Sequence, residues 1–453
     1  MQSSKKIDMT KGSIMKLVIL FALPICAGNI LQQLYNTVDT MIVGNYCDSK
    51  ALAAVGTSSQ PVEVLLCIFL GLGTGVSILV SQAVGGGDTD KLKAVVATAT
   101  SFLYICAIPI SVAGLFVGPL VLRLMQVPED TFGLATSYVR IIFLGTLGNM
   151  GYNMNAGILR GVGDSRSSLI FLVISCVVNI VLDLVFIVVC HMGVMGAALA
   201  TIIAMFCSWI FSIAYIKHKY PELEFTFLPR RLEKAVLKEV VMVGLPLGLN
   251  NSVYSLGHIM MQSLINAQGS AFMAGCAVAQ KVTGLTNVAI TSFSSAATTF
   301  AGQNVGARNY SRLKKGALKI PLFSGVITLT AGLFFLSVCR PILDLFTDDY
   351  EVLELGVKYL SVMLPCTWMY AVLNCIISFA NGIGEVRYST VVNILMLWAV
   401  RIPAAFLIAR FVNGQLVYAS VPISFAFGML SMLAFFLTKR WRAICKLQDG
   451  APR

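Results

Sequence analysis

Along the chain, stretches of about 20 or more mostly apolar residues alternate with short polar breaks, and the alternation recurs twelve times. A helix needs about 20 apolar residues to cross the roughly 30 Å hydrocarbon core of a bilayer. The pattern therefore predicts twelve transmembrane helices, at approximately 14–45, 51–83, 93–118, 133–159, 167–190, 193–216, 236–265, 271–303, 313–338, 354–380, 388–410 and 415–438. Several exceed one bilayer thickness, which predicts tilt or kinks. Pro24, inside the first span, removes a backbone hydrogen bond and marks a hinge. Gln60-Pro61, just ahead of Glu63, marks a break in the second.

Slid against itself by about 220 residues, the chain repeats. Leu23-Pro24 meets Leu245-Pro246; Gln82, Val84, Gly85, Leu92 and Lys93 meet Gln303, Val305, Gly306, Leu313 and Lys314; GVGDSR after span 4 meets GIGEVR after span 10. Six spans per half is an even number, so both halves enter the membrane from the same side. The predicted fold is an all-α integral membrane protein with twelve transmembrane helices in two six-helix lobes related by a parallel pseudo-two-fold repeat. The N-terminal lobe is placed at 1–225 and the C-terminal lobe at 226–453, with the polar stretch 217–235 as their linker. Two parallel lobes rocking against each other is one solution to alternating access, and points to a secondary transporter.

Composition strengthens this picture: 57% hydrophobic, 12% charged, mean hydropathy +0.82, more apolar side chain than a soluble globule buries. The net charge of +12 would suit nucleic acid, but its placement argues otherwise. With the N-terminus cytoplasmic, 25 of the 33 Lys and Arg fall in cytoplasmic segments, five (Lys50, Arg123, Arg340, Lys358, Arg410) on the other side, and three (Arg140, Lys281, Arg401) within spans. That bias is the positive-inside pattern of a multi-pass protein of the cytoplasmic (inner) membrane with both termini cytoplasmic. No nucleic-acid partner is expected. The twelve cysteines show no paired spacing and read as small buried hydrophobes.

Ionisable groups inside spans are costly unless they face protein or water, so each is a functional candidate. In span 1, Asn29, Gln32, Gln33, Asn36, Asp39 and Thr40 recur at helical spacing, a stripe expected to look into the bundle. In span 5, Asn179 and Asp183 lie four apart on one face. Two carboxyl groups in one lobe suit a shared proton, and hence a proton-driven switch. Lys281 and Arg401 either pair with helix ends or line the cleft, and Glu63 sits at the span 2 break. Met150 to Met154 and Met260 to Met261 are deformable packing that also suits a pocket for varied apolar ligands. Three histidines make a metal site unexpected, and no nucleotide, metalloprotease or triad motif is present. The chain is therefore not expected to be an enzyme, and no cofactor is expected: an H+ or Na+ gradient supplies the energy.

LPICAGNILQQLYNTVDTMIVG in span 1, GILRGVGD after span 4, VVNIVLDLVFI in span 5, GVMGAALAT entering span 6 and GLPLG in span 7 together resemble the multidrug and toxin extrusion (MATE) transporters, of the proton-coupled DinF-like type. The resemblance covers nearly the whole chain. It implies a V-shaped central cavity and export of small cationic or amphipathic compounds in exchange for H+ or Na+, by a monomer in the lipid bilayer. Carried over by position, it implies a cation-coupling set of Tyr35, Asp39, Asn179, Asp183 and Thr201, with Asn155 as its sixth member. A further asparagine of the family falls on Ala156 by register, with Asn155 beside it and Asn153 a turn away. Gln32, Asn36, Asn153 and Met260 are the substrate-binding candidates. Where sodium-dependent members carry acids in spans 7 and 10, this chain has Tyr254, Ser255 and Tyr370, which favours coupling through the first lobe alone. The counterparts of Asp39 and Asp183 in the second half lie near Met261 and at Ala404. A lipid-linked oligosaccharide flippase of related architecture is the alternative.

Overall fold

A computed structural model describes residues 6–125, 127–229, 232–344, 349–447 and 449. Twelve long helical segments follow in order: α1 Ile14–Tyr46, α2 Ser49–Gly86, α3 Thr89–Leu124, α4 Glu129–Leu144 with Thr146–Val162, α5 Ser165–Val189, α6 Gly193–Lys219, α7 Lys234–Asn266, α8 Ser270–Gly306, α9 Tyr310–Ser337, α10 Tyr350–Gly382, α11 Val386–Phe411 and α12 Gly414–Phe435. The protein is thus a multi-pass helical membrane protein with the predicted twelve spans. Eight of them, and α4 as a ninth, carry windows apolar enough to cross a bilayer on composition alone. Of the remaining three, α2 carries the apolar stretch Leu70–Gly86 among its described residues, whereas α7 and α8 are long enough but more polar. In α8 many of the polar groups are buried, among them Thr286, Ser292, Thr299, Gln303 and Asn304, while Gln280, Lys281, Asn287 and Thr291 are exposed; Thr286 and Ser292 donate to carbonyls of their own helix at 2.7 Å. A window of mean hydropathy counts such residues as polar although they meet neither lipid nor water.

The repeat is written in the irregularities as well as in the helix count. The fourth helix of each half is interrupted: α4 bends by 47° at Gly145, and α10 passes through a tight turn at Leu364–Cys366. The fifth helix of each half carries a π-helical turn, Leu184–Val189 in α5 and Leu395–Arg401 in α11. The GVGDSR and GIGEVR motifs are helix-to-helix turns. Gly163 (φ 94°) and Gly384 (φ 93°) take the left-handed conformation that a side chain disfavours. Asp88 and Asn309 occupy matching N-caps, accepting from the backbone N–H of Lys91 and Arg312. The break expected at Gln60-Pro61 is absent, since α2 runs unbroken through it. The side chain of Glu63 lies outside the described residues.

By contacts the chain forms two compact units, one of Met1–Ile7 and Ala27–Asn251, the other of Asp8–Cys26 and Ser252–Arg453. In the first, Val80, Leu92, Val95, Leu103, Ile158 and Trp209 build a core, and Gly151 leaves the space that the Trp209 indole fills. In the second, Phe272, Leu343, Leu360, Tyr418 and Phe425 do so. Large apolar side chains such as Ile105, Phe116, Val177 and Leu322 are exposed, as a lipid-facing surface requires. In the second unit, Met9 is fully buried before α1. Its N–H donates to Gln303 Oε1 (2.9 Å), and its carbonyl accepts from Asn304 Nδ2 (3.1 Å) and Arg312 Nε (3.0 Å).

At the turn before α5, Asp164 is 3% exposed. It accepts from the Ser167 N–H (3.1 Å) and hydroxyl (2.7 Å), Tyr220 (2.7 Å), Tyr215 (3.2 Å) and Lys219 (3.2 Å). Burial alone would raise its pKa, but the hydrogen bonds from Ser167 and Tyr220 and the charge of Lys219 outweigh burial and hold the carboxyl below the usual carboxylate range. Asp164→Ala leaves Lys219 without its carboxylate, and the expected loss is about 3 kcal/mol, read as a lower melting temperature in detergent micelles. A carboxyl whose folded pKa lies below its unfolded value of about 4 stabilises above that value, and this is lost as pH falls through the folded pKa. The gap between wild type and Asp164→Ala should therefore be constant from about pH 5 to 7 and close below about pH 4. An equal melting temperature at neutral pH would show that the network contributes nothing.

Candidate functional site

Within the first unit, four helices bring polar groups to one place. α1 supplies Tyr35 and Asp39, one turn apart on the same face; α4 supplies Tyr138; α5 supplies Asn179 and Asp183; α6 supplies Thr201. Asp183 and Asn179 are 0% and 1% exposed, and Asp39 is half-buried. The carboxyl groups of Asp39 and Asp183 meet within hydrogen-bond range, so α1 and α5 are joined through two acids. Asn179 satisfies both neighbours when its amide donates to Asp183 Oδ2 at 2.9 Å and its oxygen accepts from the Thr201 N–H at 3.2 Å. The reverse orientation turns its oxygen toward the carboxylate and keeps only a long 3.4 Å donation to Thr201 Oγ1, so the first is assigned. The Thr201 hydroxyl donates to the Ala197 carbonyl at 3.0 Å and lies within hydrogen-bond reach of Tyr35. Tyr138 lies close enough to both acids to feel their charge. Asp39 Oδ1 and Asp183 Oδ1 are enclosed and accept no hydrogen bond.

The local chain explains how Asp183 is aimed. It is the last α-helical residue of α5, and the π-helical turn begins at the next residue. A π turn inserts one extra residue and re-aims the side chains around it, a device that recurs at functional positions.

The structure brings together Tyr35, Asp39, Asn179, Asp183 and Thr201 as expected from the sequence. Asn155 is placed differently: it is buried on α4, and its amide donates to Ser212 Oγ at 2.7 Å. Asn153 donates to the Asn149 carbonyl (2.9 Å) and side chain (3.0 Å) within its own helix. The polar stripe of α1 does not turn as one face into the bundle, because Gln32, Gln33, Asn36 and Thr40 are exposed. At 100° per residue the stripe covers about a third of the circumference, and only its edge at Asp39, with Tyr35 beside it, meets α5 and α6. Met260 is exposed on α7, and Pro24 lies inside the uninterrupted α1. Tyr138 went unnoticed in the sequence, since one phenol in an apolar span gives no periodic signal. In the second unit, the Tyr254 and Tyr370 hydroxyls hydrogen-bond each other, but the site is not uncharged: α11 brings Arg401 against Tyr254.

The MatE family profile matches residues 24–185 and again residues 246–407. The chain belongs to the MatE family. The double match is the internal repeat, recovered as two copies of one module. The "Probable multidrug resistance protein YpnP" of Bacillus subtilis strain 168 is 29% identical over 444 residues, covering 97% of this chain and 98% of that protein. Among solved structures, a multidrug resistance MATE family transporter in an outward-facing conformation superposes with a TM-score of 0.87 at 25% identity, over 99% of this chain and 100% of its own. A MATE protein in complex with MaD3S superposes at 0.89 with 24% identity, over 98% and 100%. As a MATE protein, the chain is a membrane transporter, and the four-helix cluster lies inside the first MatE module except for Thr201, just beyond its end.

Proposed function

We propose that this MATE protein is a secondary active multidrug efflux antiporter, exporting small cationic or amphipathic compounds across the cytoplasmic membrane in exchange for H+, by alternating access of its two repeats. The observation that carries the reading is the meeting of Asp39 and Asp183 where α1, α5 and α6 come together within the membrane. Two carboxyl groups within hydrogen-bond range of each other hold that position through a proton between them; emptied of it, they repel, and Asn179 competes for Asp183. A proton arriving or leaving therefore changes what ties α1 to α5, which gives the driving ion different affinities for two states, as coupling requires. Pro24 weakens the backbone of α1 upstream of Asp39 and is the hinge of this scheme. Lobes at 1–225 and 226–453, with both termini cytoplasmic as the basic residues indicate, are the moving bodies.

Purified protein in liposomes, loaded with a fluorescent cationic dye, separates the ions. Efflux that follows an imposed pH gradient and ignores a sodium gradient is the expected result; efflux that follows sodium alone overturns proton coupling, and efflux that follows neither overturns antiport. The flippase alternative predicts instead a lipid-linked precursor that accumulates on deletion, with drug sensitivity unchanged.

A further inference from the structure

The second unit holds a buried charge that the coupling scheme does not use. Arg401, on α11, is 3% exposed and closes the π-helical turn Leu395–Arg401. Its Nε donates to Ser424 Oγ at 2.8 Å and its Nη1 to the Tyr254 hydroxyl at 3.4 Å. Nη2, with two N–H groups, is enclosed and makes no hydrogen bond. No ion pair among the described residues involves Arg401. Its guanidinium carbon lies 5.2 Å from the ring centre of Phe425 and 5.7 Å from that of Tyr254. Tyr370 stacks on Phe425 at 4.5 Å, and His258 faces Tyr254 at 5.3 Å.

A structural arginine in such a place is ordinarily matched by a carboxylate, because a buried charge with no partner costs several kcal/mol. Aromatic faces recover part of that cost as cation–π attraction. They leave Nη2 without an acceptor beside Nη1, whose single bond to Tyr254 is long, and Nη1 with Nη2 is the edge that takes an oxyanion in bidentate fashion. At that edge stands the Tyr254 phenol, which can also donate, and the rings of Tyr254 and Phe425 are faces that suit an aromatic body.

We propose that Arg401, with Tyr254 and Ser424, forms a site for a monovalent anionic group, the carboxylate of an aromatic transported compound or a free halide taking the same place. The proposal rests on the efflux reading for its substrate class, and extends it: the first unit binds the driving cation, while the second selects compounds that carry an anion. Because it is tested by binding rather than by transport, its failure leaves the coupling reading standing.

The test uses the purified full chain in detergent micelles, with rhodamine 110, which has a free carboxylate, and its methyl ester rhodamine 123, followed by fluorescence anisotropy. Arg401→Gln is expected to weaken the carboxylate dye by at least about tenfold and the ester by less than about twofold, with Arg401→Lys between. Replacing gluconate by chloride at constant ionic strength assigns the source. Chloride that weakens the carboxylate dye in wild type only shows a halide competing for the same site; no chloride effect, with the dye preference intact, assigns it to the compound's carboxylate. A folded Arg401→Gln that binds both dyes as wild type does overturns the site, as does equal loss of both. Should that variant not fold, wild type alone decides: no preference for the carboxylate dye over its ester, together with no chloride effect, sinks the proposal.

Discussion

Asp183→Asn is expected to abolish gradient-driven dye efflux, a fall of at least about tenfold, and Asp39→Asn to do the same. The substitution is nearly isosteric and keeps an oxygen to accept from Asn179, so the packing of α5 against α6 survives; what it removes is the ability to gain and lose a proton. An ion can shift a two-state equilibrium only by its differential affinity for the two states, and an amide offers it none in this range of pH. In the proposed scheme the two acids act as one proton-holding unit, so the double variant should be no worse than either single one. Dye binding without a gradient should persist in all three, which separates lost coupling from lost fold. Full efflux in both single variants would remove the acid pair from the mechanism. The Asn179→Ala variant bears on the same point less sharply, since Thr201 and Asn179 position Asp183 without carrying the proton.

A second large effect is expected where two backbones touch. Gly71 and Gly75 on α2 lie four residues apart, as do Gly244 and Gly248 on α7, and the two pairs face each other within the first unit. A Cβ at Gly71 would run into the backbone N and Cα of Gly248, and one at Gly75 into Gly244. Small residues spaced by four let membrane helices approach this closely, where van der Waals packing replaces the absent hydrophobic drive. Overpacking a core costs about 1–3 kcal/mol when side chains can shift; here the obstacle is main chain, which cannot rotate aside. Gly71→Leu is therefore expected to lose at least that much, seen as little monodisperse protein on size-exclusion chromatography and a strongly lowered melting temperature. Gly284→Ala is the control, since a Cβ there meets nothing within 4 Å and should change neither. A monodisperse Gly71→Leu with an unaltered melting temperature would disprove the close crossing.

How much of this was legible in the chain follows from the range of each interaction. Span lengths, the repeat and the acids in α1 and α5 are local or periodic properties, visible as runs of apolar residues and as spacings of three and four. The Gly–Asp turn motif was recognisable as a repeat, and its reason, a left-handed Gly163 and Gly384, is a backbone property the letters only hint at. The sequence misjudged the width of the α1 stripe, because periodicity says which residues share a face but not how much of that face a neighbour covers. The resemblance put Asn155 in the coupling set because it lies beside Ala156, where the family's asparagine falls, whereas side-chain direction on α4 sends it to Ser212. The sequence marked Arg401 as a charge within a span but could not join it to Tyr254, which lies more than 140 residues away with no local pattern linking the two.

By itself, then, the sequence determined that this protein lives in the bilayer as two copies of a six-helix module, and that only the first copy keeps acids in its interior. The reason is that apolar length, charge placement and repetition are sums over neighbours in the chain. Tertiary structure alone decided that Asp39 and Asp183 meet, that Tyr138 stands near enough to feel their charge, and that Arg401 is buried beside aromatic rings with its Nη2 unmatched. Those facts depend on helices that are far apart in sequence being packed within hydrogen-bond range, where desolvation makes each unpaired charge expensive enough to matter.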